Sequence, residues 1–359
     1  MSKGVRIGEI EVLRVVAAIA VLLCHMSILP GGYLAVEYFA VLSGLLMARG
    51  VKLQPRAGIR NLALDTGRYV FKKIKMFYPE LLVATILGLL SFNYAKHTVD
   101  YSLQYVFHSI SGNLLLLKMA DGAWAMRSTV PPVWYLSSMF FSILLIYPFL
   151  CRTRKRYIFL VPGLLLLSYL AFNEGGVGSK SVDKWLMFAY SGNIRICSEF
   201  LIAIGLSPLI GILSKLISES QNASKILNAV KYVSLVALCP LCFYKQGVTD
   251  MLFLIFALVY LIIAFASASN STKETQSVFN KVSRYCGMIS IAIFLSHSPA
   301  LCISGGIAKR LGVNAALACF LAFLVTAIFS YITIYGAKKI RAFFARRQKI
   351  ISADEFKNG

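Results

Sequence analysis

The chain has 359 residues, of which 58% are hydrophobic and only 14% charged, against roughly 25% charged in an ordinary soluble domain. Its mean hydropathy is +0.71, which excludes a soluble globular enzyme, a disordered protein and a small disulfide scaffold. Lys and Arg number 37 against 15 Asp and Glu, a net charge of +22; in so apolar a chain that excess belongs on loops beside a membrane rather than on nucleic acid.

A membrane-spanning helix needs about 20 largely apolar residues. Ten apolar stretches qualify in chain order, at 8–28, 32–48, 76–95, 132–150, 158–173, 190–213, 232–246, 251–268, 285–307 and 314–336. The stretch 104–118 is apolar but short and carries His108, Ser109, Ser111 and Asn113. It is expected to be re-entrant or interfacial rather than spanning. With the N-terminus inside, one set of loops holds 27 of the 37 basic residues and the other holds 8, counting Lys245 at the edge of the span 232–246. This asymmetry orients both termini towards the cytoplasm. An eleventh span at 104–118 would move CRTRKR (151–156) and the later loops across the membrane and destroy the asymmetry. The expected fold is therefore an all-α polytopic bundle of about ten helices. Its transmembrane domain covers 1–337 and a basic cytoplasmic tail 338–359. The N-terminal segment is expected to remain, since a second apolar run follows the first at once.

Ionisable residues inside a bilayer are costly and usually mark function. The first span holds Arg14 and His25, eleven residues apart. That spacing is almost three helical turns, so both share one face about 16 Å apart along the axis. Arg14 alone would suit snorkelling to the inner headgroups. Together the two suit a ligand that is anionic at the cytoplasmic end and reacts further in. Glu37 in the second span is expected at a depth similar to His25, either orienting its imidazole or bonded to the backbone or Tyr33. The loop 49–75 is dense in cations, including Lys72, Lys73 and Lys75; these would serve either stop-transfer and anionic lipid or a phosphate-rich ligand. Arg195 and Glu199, at i and i+4, suit an intramembrane ion pair. His297, followed by Pro299, is expected near the outer end of the ninth span, at the depth of His25. Trp134 opens the fourth span, where an aromatic belt is the plain alternative. Cys239 and Cys242 have redox spacing but lie in an apolar helix without a βαβ context. No cluster of Cys, His and carboxylate has metal-ligand spacing, so no metal site is expected. There is no GxSxG elbow, P-loop or GxGxxG.

In order along the chain, EIEVLRVVAAIAVLLCH, GGYLAVEYFAVLSGLLM, FKKIKMFYP, VWYLSSMF and SRYCGMISIAIFLSHSP resemble the successive segments of the acyltransferase-3 family of integral-membrane acyltransferases. The first carries that family's Arg, ten residues, His signature as Arg14 and His25. The sequence departs from the family where many members have paired Arg before the Pro, here Lys72, Lys73 and Lys75, and where many have a fourth-span Glu, here Met139. Lys lacks the bidentate guanidinium fork. An additional C-terminal hydrolase-like domain, present in some members, is not expected here. The resemblance implies transfer of an acyl group, commonly acetyl, from cytoplasmic acyl-CoA to a hydroxyl of a cell-surface polysaccharide or lipid-linked glycan. The acceptor would lie on the extracytoplasmic side of what the family suggests is a bacterial inner membrane. Arg14, Lys72, Lys73 and Lys75 would hold the donor, and His25 would act as base with Glu37. Ser43, Trp134, Ser137 and His297 are candidates for the acceptor or the oxyanion. A glycan or lipid transporter is the alternative, although no internal repeat between the halves supports it.

Overall fold

A computed structural model describes residues 7–96, 103–120, 128–174, 182–244, 247–269 and 273–358. The chain is an all-α membrane bundle. In order, the helices are α1 (Gly8–His25), α2 (Ala35–Gly50), α3 (Ile59–Lys96), α4 (Leu103–Leu114), α5 (Val133–Arg152), α6 (Leu160–Glu174), α7 (Ser191–Leu206), α8 (Pro208–Glu219), α9 (Gln221–Leu241), α10 (Val248–Ala268), α11 (Lys273–Leu311) and α12 (Ala315–Asn358). A two-residue hairpin, β1 (Trp185–Leu186) with β2 (Ala189–Tyr190), precedes α7.

Among the described residues, eight helical segments are long and apolar enough to cross a membrane. The segment Ser191–Glu219 counts as one of them, although Pro208, which has no N–H to donate, bends it into α7 and α8. α1 falls outside the eight because it carries Glu9, Glu11 and Arg14, and α2 because it has 16 residues. The stretch expected at 104–118 becomes α4, which at 12 residues is about 18 Å long and cannot cross a hydrocarbon core of about 30 Å.

Three stretches expected to be cytoplasmic loop or tail are instead largely helical. α3 begins at Ile59, α11 at Lys273, and α12 runs unbroken past residue 337 to Asn358. Hydropathy marks only the part of a helix that sits in lipid, whereas Lys, Arg, Leu and Ala continue the same helix into water. Arg341, beyond the lipid-length part of α12, donates to both carboxylate oxygens of Glu80 at 2.6 and 2.7 Å and to the Met76 carbonyl at 3.0 Å, tying α12 to α3.

The turn after α1 folds back along that helix. A Cβ on Gly32 would collide with the Ala20 carbonyl oxygen, and one on Gly31 with the carbonyls of Cys242 and Tyr244. The Gly31 amide donates to the Cys242 carbonyl at 2.7 Å. Neither glycine needs an unusual φ; both are required for close approach. α2 consequently starts beside Ala20, about 7 Å below the end of α1 along its axis. Lower down, the Tyr38 hydroxyl donates to the Ile10 carbonyl at 3.0 Å.

α2 has two distinct faces. Glu37 and Gly44, seven residues apart, point at α7: a Cβ on Gly44 would meet Ala203 at 2.9 Å and Phe200 at 3.1 Å, and Glu37 forms an ion pair with Arg195. Arg195 also approaches Glu199 at 3.7 Å. All three side chains are buried. This network corrects the expectation that Glu37 serves His25. The fold-back lowers Glu37 relative to His25, and its carboxylate is taken by Arg195.

Arg195→Met leaves two carboxylates buried without their cation and should cost about 3–5 kcal/mol, read as a lower Tm in detergent. Lys215→Met, which removes an exposed pair with Glu219, should leave Tm nearly unchanged. Gly32→Ala should cost about 1–3 kcal/mol in the same assay, because the atom it meets is backbone and cannot rotate aside. An unchanged Tm for Gly32→Ala would refute the fold-back geometry.

Candidate functional site

A cleft enclosing about 850 Å³ of empty space, its open mouth included, lies between α1, α2, α3, α5 and α11. α2 contributes the face opposite Glu37, with Phe39, Leu42, Ser43 and Leu46; α3 contributes Tyr69, Lys73, Met76 and Phe77. Both sets recur at helical three- and four-residue spacing, which is why one face of each helix reaches the cleft. α5 adds Tyr135 and Met139, and α11 adds Ser290 and Phe294.

Two cations line it. Arg14 bonds Glu11 at 2.8 Å through one terminal nitrogen, and its Nε is buried without a hydrogen bond. Lys73 stands 5.6 Å from the Tyr69 ring centroid. Lys72 and Lys75 do not join them: both are exposed and neither lines the cleft. They lie one and two residues from Lys73, and such neighbours leave a helix in different directions. Of the three lysines, geometry brings only Lys73 together with Arg14.

The polar groups on the walls are few. Ser43 and the Tyr135 hydroxyl are 3.2 Å apart, and Ser290 bonds back to the Gly287 carbonyl at 3.1 Å. Ser137 has a different task. It donates to the Leu116 carbonyl at 2.6 Å and accepts from the Met119 amide at 3.1 Å, pinning the segment after α4. Its oxygen is thereby committed, and Ser137 does not line the cleft. Asn193 helps from α7, donating to the Met119 carbonyl at 3.0 Å.

The rings of Phe39, Tyr135 and Phe294 meet with centroids 5.7 to 6.3 Å apart. Phe294 also lies 6.2 Å from the ring of His297. His297 in turn stacks on His25, with centroids 5.2 Å apart and planes at 25°. His297 is fully buried, whereas His25, the last residue of α1, is exposed. The cleft therefore leads from two cations, along apolar walls, to an aromatic cluster in contact with a histidine pair.

Of the residues anticipated from sequence, Arg14, Lys73 and Ser43 come together in the cleft, and His25 and His297 pair at its far side. Glu37 does not reach His25: no hydrogen bond joins them, and Glu37 faces α7. Trp134 sits over Arg195, 6.0 Å from its guanidinium carbon, and so belongs to the buried ion network rather than to the cleft. His108 lies in α4. Tyr135 was not anticipated. Its signal was its place on one helical face with Met139 and Ile143, beside a Trp that drew the attention instead.

A family description, that of an acyltransferase domain, matches residues 7–335. No match was found among curated proteins or among solved structures. The matched span includes every helix that lines the cleft and both histidines, and it covers nearly the whole chain. The protein is thus a multi-pass integral membrane protein that belongs to the acyltransferase-3 family of membrane acyltransferases.

Proposed function

We propose that the protein is an O-acyltransferase that moves an acyl group, acetyl in the first instance, from cytoplasmic acyl-CoA to a hydroxyl of a cell-surface polysaccharide or lipid-linked glycan. The observation that carries this reading is the polarity of the cleft. Arg14 and Lys73 meet an anionic donor at one end, apolar walls follow, and the histidine pair lies past Phe294. The charge asymmetry of the loops supports Arg14 lying towards the cytoplasm and His25 towards the outer side of a cell membrane, and so a donor from within and an acceptor from without.

In this mechanism the phosphates of the donor sit on Arg14 and Lys73 as charge-assisted contacts. The thioester arm runs along Leu42, Met139 and Ile291, which exclude water from it. The acceptor hydroxyl oxygen attacks the thioester carbonyl carbon while His25 takes the hydroxyl proton. The tetrahedral oxyanion then collapses, the C–S bond breaks, and the thiolate leaves, recovering the proton from His25. Ser43 and Tyr135, 3.2 Å apart on the cleft wall, supply hydroxyl donors to the oxyanion. Trp134 packs over Arg195 and does not line the cleft, and membrane lipid surrounds the bundle.

Two measurements with purified protein, radiolabelled acetyl-CoA and native glycan test the reading. His25→Ala should lower turnover by about 10²-fold or more; transfer that survives would overturn the role given to His25. Lys73→Ala should weaken acetyl-CoA binding roughly tenfold, whereas Lys72→Ala and Lys75→Ala should leave it nearly unchanged. Equal effects at all three lysines would show that the donor is held by bulk surface charge and not by the cleft.

A further inference from the structure

His297 is a buried imidazole with an unusual set of neighbours. Its Nδ1 lies 3.1 Å from the Ile293 carbonyl oxygen. A carbonyl only accepts, so Nδ1 carries the hydrogen, and in the neutral ring Nε2 is a bare lone pair. That Nε2 is buried and has no hydrogen-bond partner. An unmade acceptor of this kind costs free energy. The face of the ring lies against His25 at 5.2 Å, nearly parallel. Phe294, one turn earlier on α11, closes the cleft side. The carboxylate that sequence would have assigned to His25 is held by Arg195 instead.

We infer that His297 is the positioning partner of His25, fixing the plane of its ring and supporting the positive charge that His25 gains during acyl transfer. The inference rests on the reading of His25 as the base. The backbone bond to Ile293 locks the His297 tautomer and orientation, so the ring is a fixed wall. When the acceptor hydroxyl gives its proton to His25, an imidazolium forms against a neutral aromatic face, an arrangement that attracts. Two imidazolium rings at this separation would repel, so the pair carries one proton at a time. His297 holds no substrate and exchanges no atom with it; the proton leaves His25 for the departing thiolate. A neutral partner suits this site better than a carboxylate, because a carboxylate buried without a cation would carry a large desolvation cost.

The test compares His25→Ala, His297→Phe and His297→Gly in detergent, with acetyl-CoA as donor, scoring kcat, the KM for acetyl-CoA and Tm. His297→Phe keeps an aromatic face against His25 but loses the Nδ1–H bond to the Ile293 carbonyl that fixes the plane of that face. Loss of this positioning should lower kcat roughly tenfold with KM and Tm little changed. His297→Gly opens a space the size of imidazole, and added imidazole should restore much of the lost kcat. Because His297 acts through His25, the double variant His25→Ala with His297→Phe should be no slower than His25→Ala alone. Wild-type kcat in His297→Phe would overturn the inference, as would a loss in His297→Gly that imidazole leaves unchanged while Tm holds. If His25→Ala itself retains transfer, the reading of His25 as base fails first. If His25→Ala is inactive while His297→Phe is fully active, only the pairing fails.

Discussion

Gly31 and Gly32 let the turn after α1 lie directly on two carbonyl-bearing neighbours, Ala20 on α1 and Cys242 beyond α9. That contact sets the height and rotation at which α2 begins, and the cleft depends on both. A side chain there would lift α2 and turn it. As built, Glu37 and Gly44 face α7, where the absence of a Cβ allows the helices to touch, a packing mode that membranes favour because lipid supplies no hydrophobic drive between helices. The opposite face is left to line the cleft. One close approach thus decides which residues of α2 pack against α7 and which line the cleft.

The bilayer sharpens that division. A charge in hydrocarbon must be paired or reach water, and Arg14 and Arg195, the two arginines within the apolar spans read from sequence, solve this differently. Arg195 is 3% exposed and held by Glu37, Glu199 and the face of Trp134. Arg14 is 20% exposed, keeps one carboxylate, Glu11, on its own helix and leaves Nε without a bond. The first cation is consumed by packing. The second retains capacity for an anion, and it is the one that lines the cleft with Lys73.

Much of the fold was legible because hydropathy reports what lipid demands. Nine of the ten apolar stretches anticipated contain a single described helix of matching position; the tenth, 190–213, is the α7–α8 pair broken at Pro208. The short apolar segment at 104–118, read as non-spanning, holds a helix of only 12 residues. Helix ends were not legible, since α3, α11 and α12 continue beyond the apolar stretches on residues that hydropathy counts as loop. The site was legible to the extent that it follows a helical face: Arg14 and His25 share one, and Lys73 is on the right helix. What failed was pairing across helices. Glu37 and His25 are adjacent in sequence across a short turn, and an antiparallel hairpin would have placed them level. Only the fold-back at Gly32 shows that they are not, and only the packing of α11 against α1 brings His297 to His25, 272 residues away in number.

The separation of Arg14 from His25 bears on what a donor must look like. Both are fixed to one helix, about 16 Å apart along its axis, so α1 acts as a ruler. Under the acyl-transfer reading, a compact donor such as an acyl phosphate would place its charge and its reactive carbon together. It could satisfy either the cations or the histidine pair, not both. An extended thioester, anionic at one end and reactive at the other, satisfies both at once. Its middle would cross the apolar stretch of the cleft, where there are few polar groups to hold it. Recognition is then spent on the remote anionic end, and the reactive end is positioned by length rather than by direct grip, which is how binding energy far from the reacting atoms is turned into rate.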